Sequence, residues 1–397
     1  MNKQTFSDIT ESVRLEDASY ANLFGDGKSI SQTHRQRFEA DAEYRQRLVE
    51  TTRFVRDTQA GRIAPARFAE AMTTSDFPIL LGGIFDLALL GGYREYPASY
   101  EMWCKIDRDV RDFRTRAKTT INLPDGALGR VGEREEYKKA GATEGQFPYA
   151  VQKFGRKFGF SWESFVNDHL GAFSGTPKAL GRAARRTTAR FATSLICDAN
   201  GPAAGFVNLG NNNLVAPGAN SALSVTSLTA AANLLSQQMD TGGEPIFNDP
   251  AVLIVPASLK ITALQIVNAL QIRAQTAGGA DAGGAQQLDT TNLFQGLKVA
   301  VEPYISRIIT NGTVGRTAWF LAADPAQSER PAVELGFLQG HEEPQIAMKS
   351  PNAVMVGGGD ANAFAGDFDT DSIEFRVRHV VGGAAMDPRM IVGSFGQ

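Results

Sequence analysis

The sequence predicts an α+β fold with more than one lobe, and three features carry this prediction. A long, well-capped helix is expected over residues 176–200. Residues 202–323 alternate between strand and helix patterns, and a two-faced strand is expected over residues 372–381. Because 397 residues are too many for one simple core, these patterns fit two or three packed lobes.

Composition narrows the class of protein. Hydrophobic residues make up 43% of the chain and charged residues 21%, which is ordinary for a globular protein. The formal net charge of −3 argues against a protein that grips nucleic acid along its whole length. Cys104 and Cys197 supply neither a disulfide framework nor a zinc site, and they fit a reducing cytoplasm. No secretory signal or membrane span is expected, since the most apolar stretch, residues 77–90, is short.

Residues 1–72 form one predicted unit, an N-terminal arm. Within it, residues 31–68 contain eight arginines against five acidic residues and few apolar side chains. This pattern predicts a mostly exposed helical arm. A poorly ordered tail and an arm that gains its partners from neighbouring subunits both fit it.

Residues 73–111 are the next predicted unit. A helix is expected to start after Thr74 or Ser75 and to end at the glycine pair Gly91 and Gly92. A cluster of aromatic residues follows and is expected in the core: Tyr93, Tyr96, Tyr100 and Trp103.

Residues 112–160 contain an unusually polar excursion. Its middle, residues 130–146, has almost no aliphatic side chains, and such a segment is usually functional or supported from outside. A two-stranded flap that lies across an adjacent molecule would explain it, and an ordinary mobile loop is the alternative. The candidate intersubunit residues of the flap are Arg130, Arg134, Lys138, Lys139 and Glu144.

The long helix lies in the unit 161–204. Thr176 is expected as its N-cap and Pro177 as its first residue, with Asn200 and Gly201 at its end. One side of this helix carries four candidate residues for the inner, DNA-proximal face, namely Arg182, Arg185, Arg186 and Arg190. A merely solvated face is the alternative.

Residues 205–324 form a mixed lobe with strands expected at residues 251–255, 297–301 and 317–322. A helix opened by Pro256 and Ser258 and a glycine-rich loop at residues 277–285 lie between the first two strands. The last unit, residues 325–397, is acidic, with eleven acids against five basic residues when Asp324 is counted. A relatively basic N-terminal half and an acidic C-terminal half allow complementary contacts between copies.

The residues that carry enzyme chemistry do not form any common motif. The four histidines are not at metal-ligand spacing, and His379 is expected to be a core histidine. The triplet Asp367, Asp369 and Asp371 fails the calcium-loop pattern and fits turn formers or partners for arginines of another subunit. The sequence therefore predicts no enzyme, cofactor or metal, although an unrecognised site in the mixed lobe stays an alternative.

Three stretches together resemble the major capsid proteins of tailed bacteriophages, which have the Hong Kong ninety-seven-type fold. They are residues 74–93, residues 137–164 with AGATEGQ and FGRKFGFSWES, and residues 368–389. The resemblance implies that the flap lies over a neighbour and that residues 73–111 and 161–204 form a peripheral domain with a spine helix. It implies that residues 205–324 form an axial domain and that residues 325–397 return to the peripheral domain and add a last axial strand.

The resemblance also implies a function. Copies of the chain would assemble as pentamers and hexamers into an icosahedral shell around packaged double-stranded DNA, bound non-specifically on the inner face. Scaffolding, portal and decoration proteins are further implied partners. The place would be the virion, after assembly in the host bacterial cytoplasm. An encapsulin-like shell around cargo enzymes is one alternative, and another phage structural or adaptor protein is a second.

Overall fold

The protein is described by a computed structural model. The described residues are 77–122, 131, 133, 143–161, 170–218, 221–240, 243, 245–275, 287–326, 331–349 and 369–397. The predicted N-terminal arm and the glycine-rich loop at residues 277–285 lie outside them.

Helices and strands are both present, and most of the described strand pairs are antiparallel, which fits an α+β fold. The helices are α1 (Phe77–Glu95), α2 (Leu170–Ile196), α3 (Val225–Ser236), α4 (Lys260–Asn268) and the single turns α5 (Ile305–Ile308) and α6 (Val314–Thr317). The strands are β1 (Cys104–Val110), β2 (Arg116–Asn122), β3 (Thr143–Tyr149), β4 (Val151–Ser161), β5 (Pro250–Val255), β6 (Gln271–Gln275), β7 (Gln287–Thr291), β8 (Lys298–Val301), β9 (Trp319–Ala323), β10 (Val333–Leu338), β11 (Gln345–Met348), β12 (Ser372–Ala385) and β13 (Ile391–Ser394).

The larger sheet is organised around the long strand β12. β4 pairs antiparallel with β12 along Ser372–Gly382 on one edge. β11 and β10 pair antiparallel with the first and last parts of β12 on the other edge, and β1 adds to β10 in parallel. The predicted alternation of β12 is confirmed, since Ile373, Phe375, Val377 and Val381 are all buried.

The second sheet has the strand order β13-β9-β5-β8, so the C-terminal strand returns to the middle lobe. The predicted strands at 251–255, 297–301 and 317–322 are confirmed as β5, β8 and β9 within one or two residues. One face of this sheet packs under α3 and α4 through Leu228, Leu235 and Ala263. Its other face shares a core with the larger sheet, in which Trp103, Ile254, Phe320 and Val381 are buried together.

The glycine pair does not end the first helix, so that prediction is wrong. α1 continues through Gly91 and Gly92 to Glu95. A Cβ atom at Gly92 would overlap the carbonyl oxygen of Lys178 on α2, and one at Gly181 would overlap the carbonyl oxygen of Leu89 on α1. The glycines therefore permit two helix backbones to cross closely, a role that outweighs their low helix propensity.

The predicted bounds of the spine helix are also wrong at both ends. α2 begins at Leu170, which places Thr176 and the buried Pro177 inside the helix. It ends at Ile196 because the carboxylate of Asp198 accepts the backbone N–H groups of Asn200 at 2.7 Å and Gly201 at 3.1 Å. An Asp side chain that bonds the backbone this way forms a turn and competes with the helix. The 27 residues of α2 span about 40 Å.

Candidate assembly surfaces

The described part of the predicted flap is a two-stranded ribbon made of β2 and β3. The strands pair antiparallel from Arg116 opposite Tyr149 to Asn122 opposite Thr143. Within the described chain, neither strand pairs with a third one. Arg116, Ala117, Gln146 and Pro148 are exposed. Since an isolated two-stranded hairpin is at best marginally stable in water, this ribbon needs support beyond its own pairing.

The base of the ribbon is tied to the larger sheet by charged and polar groups. Lys118 pairs with the fully buried carboxylate of Glu334 on β10. The Tyr149 hydroxyl donates to Asp107 Oδ2 at 3.0 Å and lies 3.3 Å from Glu334 Oε1. Burial, followed by the negative charges of Asp107 and Glu334, raises the pKa of the Tyr149 phenol. The ribbon is therefore anchored at one end only among its described residues.

Of the five candidate flap residues, one lies in the described ribbon. Glu144 lies on β3, opposite Ile121. The other four, Arg130, Arg134, Lys138 and Lys139, lie outside the described residues. β4, which follows the ribbon after Ala150, belongs to the larger sheet, where Phe158 stacks on Phe375 with ring centroids 5.1 Å apart.

The arginines of α2 make contacts that the sequence did not reveal. Arg182 Nη1 lies 3.1 Å from Glu95 Oε2. Arg185 Nη2 lies 2.8 Å from Glu101 Oε1, and its guanidinium lies 4.7 Å from the ring centroid of Tyr93. Contacts of this kind hold the guanidinium groups of Arg182 and Arg185 against their own subunit.

The remaining two arginines of α2 are exposed. The Arg186 guanidinium lies 5.3 Å from the ring centroid of Tyr96, and Arg190 has no ion pair among the described residues. The aromatic cluster behind them is confirmed as core, since Tyr93, Tyr100 and Trp103 are buried and Tyr96 is half-buried.

His379 is buried under the same helix, as predicted. Its Nε2 lies 3.0 Å from the Thr188 hydroxyl, and its ring lies edge-on to Tyr93 at 5.6 Å between centroids. Burial first, and the positive charge of Arg185 second, lower the pKa of His379 to about 4. The imidazole is therefore neutral at neutral pH and belongs to the core.

The face of the larger sheet that points away from α1 and α2 carries a groove of about 290 Å³. Its cationic side chains on this face are Lys153 and Lys157 of β4 with Arg376 and Arg378 of β12, a set that we call the basic groove. The sequence alone did not predict this groove. The alternating basic residues of KFGRK and FRVR indicate a basic face only once the two strands are known to be neighbours.

Within the described chain, no group of three or more His, Cys, Asp or Glu side chains could hold a metal ion. No helix among the described residues is both long and apolar enough to cross a membrane.

A ribbon that the described part of its own subunit leaves uncovered needs support from elsewhere, which fits a structural subunit that assembles with copies of itself. The family of phage capsid proteins matches this chain over residues 144–394, and the chain belongs to that family. It is thus a structural protein of the phage head with the Hong Kong ninety-seven-type fold, as the resemblance implied. Self-assembly into a shell and a place in the virion follow from this membership.

Some solved structures have a similar course of the chain at low sequence identity. One from Mycobacterium phage Bobi has 12% identity and a TM-score of 0.44, and the match covers 75% of this chain and 89% of that one. One from Microbacterium phage Oxtober96 has 10% identity and a TM-score of 0.42, with 73% and 85% covered. The holo-SrpI encapsulin complex of Synechococcus elongatus has 10% identity and a TM-score of 0.44, with 76% and 89% covered. None of the curated proteins matches.

Proposed function

We propose that this capsid protein assembles as pentamers and hexamers into an icosahedral shell that encloses packaged double-stranded DNA. The observation that carries the proposal is the ribbon of β2 and β3, which has exposed faces and no third strand within the described chain. A neighbouring copy would supply the missing support, and head-to-tail contacts of this kind close into rings. Permanent assemblies of this type bury roughly 2,000–5,000 Å² per interface.

Each predicted unit has a role in this proposal. Residues 1–72 clasp adjacent copies, and residues 112–160 lie across a neighbour as the flap. Residues 205–324 form an axial domain that gathers the copies around each local axis, while the units 73–111 and 161–204 form the peripheral domain. Residues 325–397 return to the peripheral domain and add the last axial strand. Ordering arms and flaps costs conformational entropy, which is offset only when neighbours are present.

The side that faces DNA is proposed to include α2. Among its four candidates, Arg186 and Arg190 are exposed, whereas the charges of Arg182 and Arg185 are offset by Glu95 and Glu101. Contacts to phosphates carry no sequence information, so the proposed DNA contact is non-specific and weakens with salt. Scaffolding, portal and decoration proteins, and assembly in the host cytoplasm, belong to the same proposal.

The decisive experiment is negative-stain electron microscopy of the expressed full chain. Closed symmetric particles are expected, and a folded monomer at high concentration would contradict the proposal. Double-stranded DNA inside virion-derived particles supports a phage head, whereas a cargo enzyme inside would favour the encapsulin-like alternative.

A deletion tests the role of the flap. Replacing residues 130–146 by a short Gly-Ser turn is expected to leave the subunit fold largely intact by circular dichroism, and to abolish or destabilise particles. The matched control replaces residues 277–285, the glycine-rich loop, in the same way. If the flap deletion unfolds the subunit, the segment belongs to the core and the proposed role fails.

A further inference from the structure

The basic groove has a floor without side chains. Gly155 stands opposite Arg378 in the register of β4 and β12, and Lys157 stands directly opposite Arg376. A Cβ atom at Gly155 would lie 2.8 Å from the carbonyl oxygen of Val377, so a larger residue cannot fill this floor without a shift of the strand. Lys153 lies two residues before Gly155, about 7 Å along the strand. The result is an open groove bordered by four cations.

The cations of the groove are poorly compensated within their own subunit. Among the described residues, Lys153, Lys157 and Arg376 are exposed and form no ion pair or side-chain hydrogen bond. Arg378 donates to the neutral Gln345 Oε1 at 2.7 Å. Like charges directly opposite each other on paired strands are destabilising. The arrangement of Lys157 and Arg376 therefore favours an anionic partner from outside.

The chain also carries a complementary set of acids. Residues 369–371, which we call the acidic segment, contain two aspartates and no lysine or arginine. Both Asp369 and Asp371 are exposed and form no ion pair in the described chain. Asp371 has a left-handed backbone with a φ of 46°, which fixes the chain direction directly before β12.

The two aspartates of the acidic segment do not neutralise the groove of their own subunit, because neither forms an ion pair within the described chain. β12 runs extended from Ser372, which precedes Arg376 by four residues and Arg378 by six. At the rise of a strand these separations are about 13 and 20 Å, and Asp371 lies one residue before Ser372. The pairing of Asp369 and Asp371 with a groove therefore involves a second molecule.

We propose that the basic groove of one subunit binds the acidic segment of a second copy. The proposal rests on the proposed function, because it concerns a contact within the self-assembled shell. It joins two different patches of the same chain, which is the head-to-tail geometry that closes rings and shells. Nucleic acid could satisfy the same cations, but it would leave the aspartates without a cation, whereas pairing between copies satisfies both patches.

Charge reversal with rescue tests this contact. The groove variant is Lys157→Glu with Arg376→Glu, and the acidic-segment variant is Asp369→Lys with Asp371→Asn, since Asn tolerates the left-handed backbone. Each variant is expected to raise the protein concentration at which particles form by roughly tenfold or more. The chain that carries all four changes restores the attraction and is expected to return to within about threefold of the wild type. Arg111→Glu, an exposed cation outside the groove, the flap and the proposed DNA-facing side, is the control.

The outcomes separate this proposal from the proposed function. If the wild-type chain forms no particles, the proposed function itself fails. If the wild type assembles and both reversed variants assemble equally well, only the groove contact is refuted. If each variant fails to assemble and the chain with all four changes does not regain assembly, the pairing is also refuted, provided that circular dichroism shows folded subunits. Normal assembly with less nucleic acid inside the groove-variant particles would assign the groove to nucleic acid and overturn the contact between copies.

Discussion

Trp103 donates its indole N–H to Glu302, with 3.2 Å between Nε1 and Oε1, and this bond joins the two lobes of the fold. Trp103 directly precedes β1 of the larger sheet, and Glu302 directly follows β8 of the second sheet. Both side chains are buried, at 1% and 0% exposure. Burial raises the pKa of Glu302 to about 7, although hydrogen bonds from Ser99 and Trp103 act in the opposite direction.

The junction should make stability depend on pH in a defined direction. The folded-state pKa of Glu302 lies above its unfolded value of 4.5, so its contribution to the free energy of unfolding is fully present below pH 4.5. That contribution falls as the pH rises to about 7 and is flat above it. Glu302→Gln should remove this fall, which amounts to roughly 3 kcal/mol at most.

Urea unfolding at several pH values between 5 and 8 checks this, with the particle state held constant. The exposed carboxylate of Asp109 supplies the control Asp109→Asn, which is expected to run parallel to the wild type. A Glu302→Gln profile that also runs parallel to the wild type would show that the buried carboxyl does not set the pH dependence.

Titration of His379 should change the free energy of unfolding with pH in the opposite direction, and at lower pH. Its folded-state pKa of about 4 lies below its unfolded value of 6.5, so the unfolded chain binds the proton more readily. Stability is therefore fully present above pH 6.5 and is lost as the pH falls towards 4, by roughly 3 kcal/mol at most. His379→Gln can keep the bond to Thr188 without a titrating ring, and its unfolding free energy should lose this acid limb.

The two groups offset each other between pH 4.5 and 6.5, so the wild-type profile alone does not separate them. The difference between wild type and each single variant, measured by urea unfolding at each pH, isolates the contribution of each side chain. If His379→Gln loses as much unfolding free energy between pH 6.5 and 4 as the wild type does, that loss comes from other groups.

The sequence predicted the bounds of the strands better than those of the helices. β5 is an aliphatic run before Pro256, and such a run predicts a strand buried on both faces, as Leu253 and Ile254 are. The length of α1 was not predictable, because a glycine pair indicates a helix end unless the helix that packs against it is known. Only the crossing with α2 shows why Gly92 stays helical.

The surfaces were harder to predict than the strands for the same reason. Arg185 looked like a surface charge, but its partner Glu101 lies 84 residues away in the sequence. The basic groove depends on the register that puts Lys157 opposite Arg376, and no local pattern fixes that register. Local patterns thus determine which residues face inward, whereas the partners of charged residues depend on long-range pairing.

The close crossing of α1 and α2 predicts a large effect from one methyl group. Gly92→Ala or Gly181→Ala would place a Cβ atom against a backbone carbonyl that cannot move freely, and each should lower the free energy of unfolding by roughly 2–3 kcal/mol or more. Gly91→Ala is the matched control, since a Cβ atom there meets nothing within 4 Å. It should be neutral or gain about 0.5–1 kcal/mol from helix propensity.

Thermal or urea unfolding of the three glycine variants decides the point. Equal stabilities for Gly91→Ala and Gly92→Ala would mean that the helices separate without cost, and the close crossing would then not be a determinant of the fold.

The anchored base of the flap yields the last prediction. Tyr149→Phe removes only the hydroxyl that donates to Asp107, while the ring stays buried. Asp107 keeps Arg116 at 3.7 Å, and Glu334 keeps Lys118, so the cost to global stability should be about 1 kcal/mol. The local effect should be larger: hydrogen exchange of β2 and β3 should accelerate while that of β5 and β9 stays unchanged, because few other groups of the described chain hold the ribbon. Tyr304→Phe, a half-buried tyrosine outside the ribbon, is the control.

The same measurement on assembled particles distinguishes the source of support, since a ribbon covered by a neighbour should be protected in the wild type and in Tyr149→Phe alike. Exchange of the ribbon that is equally fast in particles and in free subunits would mean that no neighbour covers it.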